Sequence, residues 1–156
     1  MSRLGRLKRR PEFLRVAARG RKVATPGLVL QALERRDSEI APASAAEEPS
    51  AQVRVGFTAS RKVGKAVERN RARRRLRAAV KEIFPIMARP GRDYVVIARR
   101  STLKRAWPDL LADLRSALER VETSGRSDTE RRRRRQSGRG GREAAARDGA
   151  RKRTEA

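Results

Sequence analysis

The large apolar residues of this sequence stop near residue 121, and this boundary limits how much of the chain can fold. Residues 123–156 contain almost no large apolar side chain; Thr, Ser, Gly, Arg, Ala and Glu make up nearly all of them. Such a segment cannot bury enough apolar surface to offset an ordering entropy of about 1 to 2 kcal/mol per residue. We therefore expect one folded domain over residues 1–122 and a disordered basic tail over residues 123–156. Residues 36–52 are locally acidic and rich in Ala, Pro and Ser, which predicts a mobile loop insertion.

The charge balance points to a polyanionic partner. The chain has 42 Lys and Arg against 18 Asp and Glu, a net charge of +24 at pH 7. A chain this basic repels itself until a polyanion neutralises it. There is no Cys for a disulfide or thiolate site, and no His to act as general base or zinc ligand. No apolar run approaches the roughly 18 to 20 residues of a membrane span and no signal peptide is visible, so we expect a soluble, cytosolic-type protein with no membrane partner.

Hydrophobic patterning predicts the element order helix-strand-strand-strand-helix-strand-helix. The predicted elements are a helix over Pro11–Ala18, strands over Arg21–Ala24, Leu28–Leu33 and Val53–Ser60, a helix over Lys65–Phe84 stopped by Pro85, a strand over Asp93–Ala98, and a helix from about Pro108 with apolar residues to Val121. The continuous apolar run before Ala98 is typical of a central strand. This order predicts an α/β (α+β) two-layer sandwich with helices packed on a four-stranded sheet.

The helix after Gly64 combines a narrow apolar seam with many cations. At about 100° per residue, the seam consists of Ala72, Leu76, Ala79, Val80 and Ile83. The adjoining face carries Asn70, Arg73, Arg74, Arg77 and Lys81. Close cations on a helix repel each other by a few tenths of a kcal/mol per pair, and Glu68 and Glu82 are too few to balance them. Since the planar guanidinium group can bind phosphate oxygens in bidentate fashion, this pattern predicts a phosphate-binding helix.

Two enzymatic interpretations fail on residue spacing. Gly56 and Gly64 are too far apart for a phosphate-cradling loop, and Ala66 replaces the hydroxyl residue that would hold Mg²⁺. A protein nuclease would need clustered carboxylates, whereas Asp93, Asp109 and Asp113 are scattered along the sequence. The residues therefore predict no active site carried by the protein itself.

The basic segment resembles that of the bacterial ribonuclease P protein subunit. The resemblance is carried by Arg69-Asn70-Arg71-Ala72-Arg73-Arg74-Arg75-Leu76-Arg77, by the preceding Arg54–Val67, by Arg6-Leu7-Lys8 with Phe13, and by Asp93–Arg99. It covers roughly residues 3–121 in the family's element order. That combination is far more specific than a basic patch alone.

The resemblance implies both a fold and a function. It implies an α/β sandwich whose crossover through the basic helix is left-handed. It also implies a cytoplasmic bacterial protein component of ribonuclease P, bound to a catalytic RNA and to precursor tRNA. The RNA and Mg²⁺, which the RNA mainly binds, would remove the 5′ leader, so the isolated protein is expected to be inactive. No organic cofactor, protein metal ligand, catalytic side chain or obligate protein partner is predicted.

The resemblance also assigns residues to two surfaces. The residues expected to face the catalytic RNA are Arg61, Lys62, Lys65, Arg69, Asn70, Arg71, Arg73, Arg74 and Arg77. Those expected in the cleft for the single-stranded leader are Phe13, Gln31 and Arg54. Ala17 and Gln31 stand where family members often have aromatics, which leaves the base preference open. Phe13 can be either a stacking residue or a core aromatic, while Tyr94 is predicted to be core.

Two other functions compete with this interpretation. A general structural RNA-binding or ribosome-associated protein would show the same charge but no preference for precursor over mature tRNA. A protein-only endonuclease is disfavoured because the carboxylates do not cluster. In the tail, the run Arg131–Arg135 is either an added RNA contact or a solvated charge run.

Overall fold

The computed structural model describes residues 4–35 and 52–124. In chain order the elements are β1 (Leu4–Arg6), α1 (Arg10–Arg19), β2 (Arg21–Ala24), β3 (Leu28–Glu34), β4 (Val53–Thr58), a 3-10 turn (Arg61–Val63), α2 (Ala66–Met87), β5 (Arg92–Ala98), a second 3-10 turn (Arg100–Leu103) and α3 (107–124). The predicted α/β architecture is confirmed, and each predicted helix and strand is present.

The five strands form one sheet in the order β1-β4-β5-β3-β2. The apolar strand β5 lies at its centre, as predicted, parallel to β4 and antiparallel to β3. The parallel neighbours β4 and β5 are joined through α2, the connection for which the resemblance implies a left-handed crossover. The prediction of four strands was wrong because it missed β1. That strand has three residues and no alternation of its own, and it exists through parallel pairing with β4.

Helices cover both faces of the sheet. On one face, α2 and α3 bury the main core, which includes Leu76, Leu114 and the strand residues Tyr94 and Val96. On the other face, Val16 of α1 packs with Leu7 and Val95 in a much smaller buried cluster. Tyr94 is fully buried, which confirms its predicted core position. Successive residues of β5 point to opposite faces, so Tyr94 and Val96 belong to the main core and Val95 to the small one.

The helix α2 does not stop at Pro85, contrary to the prediction. Pro85 lies inside the helix, which ends at Met87. A proline removes its own N–H donor, but the turn beyond it can still be closed by later residues. Here the N–H of Ala88 donates to the carbonyl of Phe84 at 3.0 Å. The predicted end was therefore three residues too early.

Two predicted segments lie almost wholly outside the described residues. Of the predicted loop 36–52 the structure describes Gln52, and of the predicted tail 123–156 it describes residues 123 and 124. Those two residues continue α3, so the prediction that disorder begins at residue 123 was wrong there. After Pro108 in its first turn, α3 contains no glycine or proline, and the next such residue is Gly125. Contacts between Cα atoms divide the chain after Val121. In the described parts, no helix is long and apolar enough to cross a membrane.

Candidate RNA-binding surfaces

A glycine turn and a carboxylate set the start of α2. Gly64 adopts a φ of +146°, in a region that residues with a Cβ rarely occupy. A Cβ at this position would also overlap the carboxylate of Glu68. That carboxylate accepts a hydrogen bond from the backbone N–H of Lys65 at 2.6 Å. Glu68 thus satisfies a free donor at the helix N-terminus, where a negative charge also favours the helix dipole.

The predicted apolar seam of α2 is confirmed. Its five residues are buried, and Phe84 extends the seam by one position. Val67, which lies off the seam, is 77% exposed. The seam anchors α2 to the sheet and leaves the rest of its circumference for charged side chains.

The predicted RNA-facing residues form one basic surface, which we call the α2 surface. It comprises Arg61, Lys62, Lys65, Arg69, Asn70, Arg71, Arg73, Arg74 and Arg77. Arg69 and Arg73 are half-buried and the other members are exposed. Asn70 accepts a hydrogen bond from Arg73 at 3.1 Å, and the Arg77 guanidinium lies 5.8 Å from the Phe57 ring centroid. Within residues 4–35 and 52–124, no ion pair joins these cations to a carboxylate.

Arg75 lies in the same basic run but contacts the protein itself. Its guanidinium donates to the carbonyls of Thr102 at 2.5 Å and Leu103 at 2.9 Å, and to that of Arg105. These carbonyls belong to the second 3-10 turn and the residues after it, which Arg75 fastens to α2. The helical wheel places Arg75 away from the predicted face, but the sequence has no signal for its partners, which lie 27 to 30 residues away.

A partly exposed strip of the sheet lies beside α1 on the opposite face, where the resemblance implies the leader cleft, and we call it the α1 cleft. The strand register aligns Gly56, Val95 and Gln31 in one row and Thr58, Ile97 and Val29 in the next. The residues that line it are Phe13, Gln31, Val29, Thr58 and Ile97. All are half-buried except Gln31, which is 8% exposed. Sequence reasoning missed Val29, Thr58 and Ile97, because only the register between strands shows that they share this face.

Phe13 is both a core contact and a partly exposed ring. It packs against the small core of Leu7, Val16 and Val95 and remains partly exposed at the cleft. Its ring covers Gly56 so closely that a Cβ there would lie 2.5 Å from Phe13 Cε1. Gly56 is therefore required for this approach of ring and strand.

Arg54 lies one register row beyond the cleft, and its guanidinium is bound by carboxylates. It donates to Asp93 at 2.6 and 2.8 Å and to Glu12 at 2.9 Å. Asp93 also accepts from Arg35 at 2.7 Å and from Arg15 at 3.0 Å. We call these five residues the Asp93 cluster. The structure thus places Phe13 and Gln31 at the cleft and Arg54 at its end, already paired.

The Asp93 cluster holds its carboxylates in the ionised form. Burial raises the pKa of Asp93, but hydrogen bonds from Arg54 and Arg35 outweigh burial and hold that pKa below the ordinary value. Burial likewise raises the pKa of Glu12, yet the backbone N–H groups of Arg9 and Lys8 and the charge of Arg54 leave it lowered. The hydrogen bond to Asp93 raises the pKa of Arg54. All three groups are charged at neutral pH.

The described side chains do not form a magnesium site. In this part of the chain, no group of three acidic, His or Cys side chains converges in a way that could hold a metal ion. Asp93, the fully buried carboxylate, is bonded to guanidinium groups. We therefore assign no step to an ion held by the protein alone.

A family model and known proteins match most of this chain. The family model described as Ribonuclease P matches residues 1–122. The chain is 56% identical over 120 residues to the ribonuclease P protein component of Paramagnetospirillum magneticum, covering 77% of this chain and 84% of the relative. It is 48% identical over 123 residues to that of Gluconacetobacter diazotrophicus, covering 79% of this chain and 96% of the relative.

Solved structures share the fold. The RNase P protein of Staphylococcus aureus matches with a TM-score of 0.56 and 25% identity, covering 73% of this chain and 92% of that one. The RNase P protein of Thermotoga maritima matches with a TM-score of 0.57 and 24% identity, covering 74% of this chain and 96% of that one. The chain therefore belongs to the ribonuclease P protein family, as the protein component of an endoribonuclease ribonucleoprotein that processes the 5′ end of tRNA.

Proposed function

We propose that the protein binds the ribonuclease P RNA through the α2 surface and the unpaired 5′ leader of precursor tRNA through the α1 cleft. One observation carries the first half of this proposal. The cations of the α2 surface have no carboxylate partner among the described residues, although Arg54, Arg35 and Arg105 elsewhere in the fold do. An RNA backbone supplies the missing anions, and its phosphates fit guanidinium donors in pairs.

The α1 cleft suits an unpaired strand. Phe13 offers a partly exposed ring, and base stacking on an aromatic ring contributes about 1 to 3 kcal/mol. Val29 and Ile97 give the floor an apolar surface, while the amide of Gln31 and the hydroxyl of Thr58 offer hydrogen-bonding groups. With one ring in the cleft, leader affinity depends on Phe13 more than it would in a cleft with several aromatics.

The described side chains suggest how binding and hydrolysis are divided between the protein and the RNA subunit. The residues described provide binding groups and no magnesium site, so we assign hydrolysis to the RNA subunit and the Mg²⁺ that it binds. Phosphate neutralisation by the α2 surface should lower the Mg²⁺ concentration that assembly requires. The protein acts as a cytoplasmic partner of the RNA that increases affinity for precursor over mature tRNA.

Reconstitution tests this proposal directly. The purified protein should leave precursor tRNA intact, and adding the cognate catalytic RNA at low Mg²⁺ should yield tRNA with a mature 5′ end. A leader-length series should show affinity rising as the leader extends into the cleft, and Phe13→Ala should remove that rise. Equal competition by mature and precursor tRNA would instead indicate a general RNA-binding protein. Cleavage by protein freed of RNA would contradict the assignment of chemistry to the RNA.

A further inference from the structure

Two residues of the Asp93 cluster flank Phe13 in the sequence of α1. Glu12, one residue before Phe13, accepts from Arg54 of β4 at 2.9 Å. Arg15, two residues after it, donates to Asp93 of β5 at 3.0 Å. The helix that carries the cleft ring is thus tied to β4 and β5 by two ionic contacts, both to the paired residues Arg54 and Asp93 one register row from Gly56.

Glu12 also fixes the start of α1. Its second carboxylate oxygen accepts the backbone N–H groups of Lys8 and Arg9, each at 3.0 Å. One side chain therefore closes the first turn of the helix and joins that turn to β4. Because Arg54 and Gly56 are two residues apart on one strand face, the strand that holds Glu12 is also the strand under the Phe13 ring.

Few apolar contacts fix the position of α1 on the sheet. Among the residues that the structure describes, the core between α1 and the sheet has three buried members, whereas the core under α2 and α3 has twenty-two. Apolar contacts are non-directional, while hydrogen-bonded ion pairs specify both distance and angle. Asp93 is 0% exposed and Arg35 is 3% exposed in its side chain, so the cluster is anchored in the interior of the fold.

We propose that Glu12 and Asp93 are positioning residues for leader binding, which hold α1 so that the Phe13 ring stays at a fixed height above Gly56. The inference rests on the proposed use of the α1 cleft for the leader. Neither carboxylate contacts RNA in this arrangement. Each acts through the guanidinium groups of Arg54 and Arg15 and through them on the helix that carries the ring.

Glu12→Gln in the reconstituted holoenzyme is the primary test. We expect KM for a precursor with a leader of several nucleotides to rise about threefold to tenfold, with kcat unchanged, because a misplaced ring weakens stacking without touching the cleaved bond. KM for a precursor with a single-nucleotide leader and affinity for the catalytic RNA should not change. Glu12→Asp, which keeps the charge, should restore part of the loss. Glu12→Gln removes one negative charge, which by simple electrostatics would strengthen RNA binding, so a rise in KM has the opposite sign to a charge effect.

Asp109→Asn is the control for the change in charge, because it removes one carboxylate as Glu12→Gln does, but this carboxylate is exposed and lies on α3, away from the cleft. It should leave the leader dependence as it is in the original protein. Asp93→Asn should act like Glu12→Gln, and more strongly, in preparations that unfold cooperatively. Glu12→Gln carries the test if Asp93→Asn fails to fold.

Comparison with Phe13→Ala separates the two proposals. If Phe13→Ala lowers affinity for long leaders but Glu12→Gln leaves KM unchanged, the positioning inference is wrong and the cleft assignment stands. If Phe13→Ala itself leaves the leader dependence unchanged, the cleft assignment fails and the inference fails with it.

Discussion

Three guanidinium groups donate to the Asp93 carboxylate, and this carboxylate makes the free energy of unfolding depend on pH. The pKa of Asp93 in the folded protein lies below the unfolded value of about 3.9. The contribution of ionised Asp93 to the free energy of unfolding is therefore complete above that value and is lost as the pH falls through the folded pKa. Glu12 acts in the same direction. We expect the free energy of unfolding, measured in urea, to fall steeply below about pH 4.

Asp93→Asn tests the origin of that acid dependence. Removing the charge leaves Arg35 buried without its anion, so we expect a loss of about 3 to 5 kcal/mol at pH 7. The remaining stability should then fall less with acid than in the original protein. Asp109→Asn should change neither value. Parallel curves of the free energy of unfolding against pH for the original protein and Asp93→Asn would contradict this account.

Gly64 is the second residue at which a single substitution should be costly. A φ of +146° with extended ψ is essentially restricted to glycine, and a Cβ would overlap Glu68. We expect Gly64→Ala to lower the free energy of unfolding by about 1 to 3 kcal/mol. Gly5→Ala is the control, since Gly5 has no positive φ and its Cβ would first meet side-chain atoms, of Gln52 at 2.9 Å and of Arg54 at 3.1 Å, and not backbone. It should change stability by about 0.5 kcal/mol or less, and an equal effect of both substitutions would contradict the prediction.

The sequence could not show which arginines the fold itself uses. Arg54 and Arg75 stand in segments that resemble the family's RNA-binding ones, yet both guanidinium groups bind groups of this chain. Their partners are 27 to 42 residues away in sequence, so no local pattern identifies them. Charge composition predicts an excess of cations for a polyanion to neutralise, but the tertiary structure determines which of these cations remain available to bind it.

At the scale of elements, hydrophobic periodicity predicted the features that have a repeating apolar pattern and missed those that have none. The α2 seam followed from the 3.6-residue repeat, and the apolar run of β5 indicated its central position. The strand β1 has three residues and owes its conformation to β4, so it has no period to detect. The end of α2 was missed because Pro85 was treated as a stop, although the next turn closes without its N–H.

Arg74 and Arg75 are adjacent on α2 and should behave differently. Arg74 is exposed and has no partner within the described part of the chain, so Arg74→Gln should leave stability unchanged and weaken binding to the catalytic RNA. Its plot of log affinity against log salt should flatten by about 0.7, the value for one phosphate. Arg75→Gln should keep the salt slope but lower the free energy of unfolding by about 1.5 to 3 kcal/mol, because three carbonyls lose a charged donor. Binding titrations across a salt series and urea unfolding distinguish the two.

A reversed result would change the assignment of the α2 surface. An unchanged salt slope for Arg74→Gln, with a flattened slope for Arg75→Gln, would mean that Arg75 leaves its carbonyls to meet RNA. The surface would then extend toward the second 3-10 turn.

For the folded domain, the sheet separates the two proposed binding surfaces. The seam of α2 packs on the face that carries Tyr94 and Val96, whereas Phe13 covers Gly56 and Val95 on the opposite face. The family resemblance assigned Phe13, Gln31 and Arg54 to the leader surface, but it did not give this placement or the other residues of the α1 cleft, because these depend on the register between β4, β5 and β3. Two faces allow the protein to bind the catalytic RNA and a leader without competition for one surface.

The basic C-terminal segment is the subject of the last prediction, at the scale of the whole chain. Residues 125–156 carry 12 basic and 5 acidic side chains and lie beyond the region matched by the family model. Deleting them should preserve cooperative unfolding and the preference for precursor tRNA, because the described core and both surfaces lie before residue 125. Affinity for unrelated RNA should fall, and its salt slope should flatten by about 0.7 for each phosphate that the segment neutralises.

Replacing Arg131–Arg135 with Gln in the full chain separates charge from length. If that run contacts RNA, this variant should reproduce most of the fall in affinity seen on deletion, since guanidinium groups bind the phosphates. If the run is a solvated charge cluster, nonspecific affinity should be unchanged by the replacement. Loss of cooperative unfolding in the deletion variant would show that the fold needs residues beyond 124, because a segment without large apolar side chains could contribute to it only through ionic contacts.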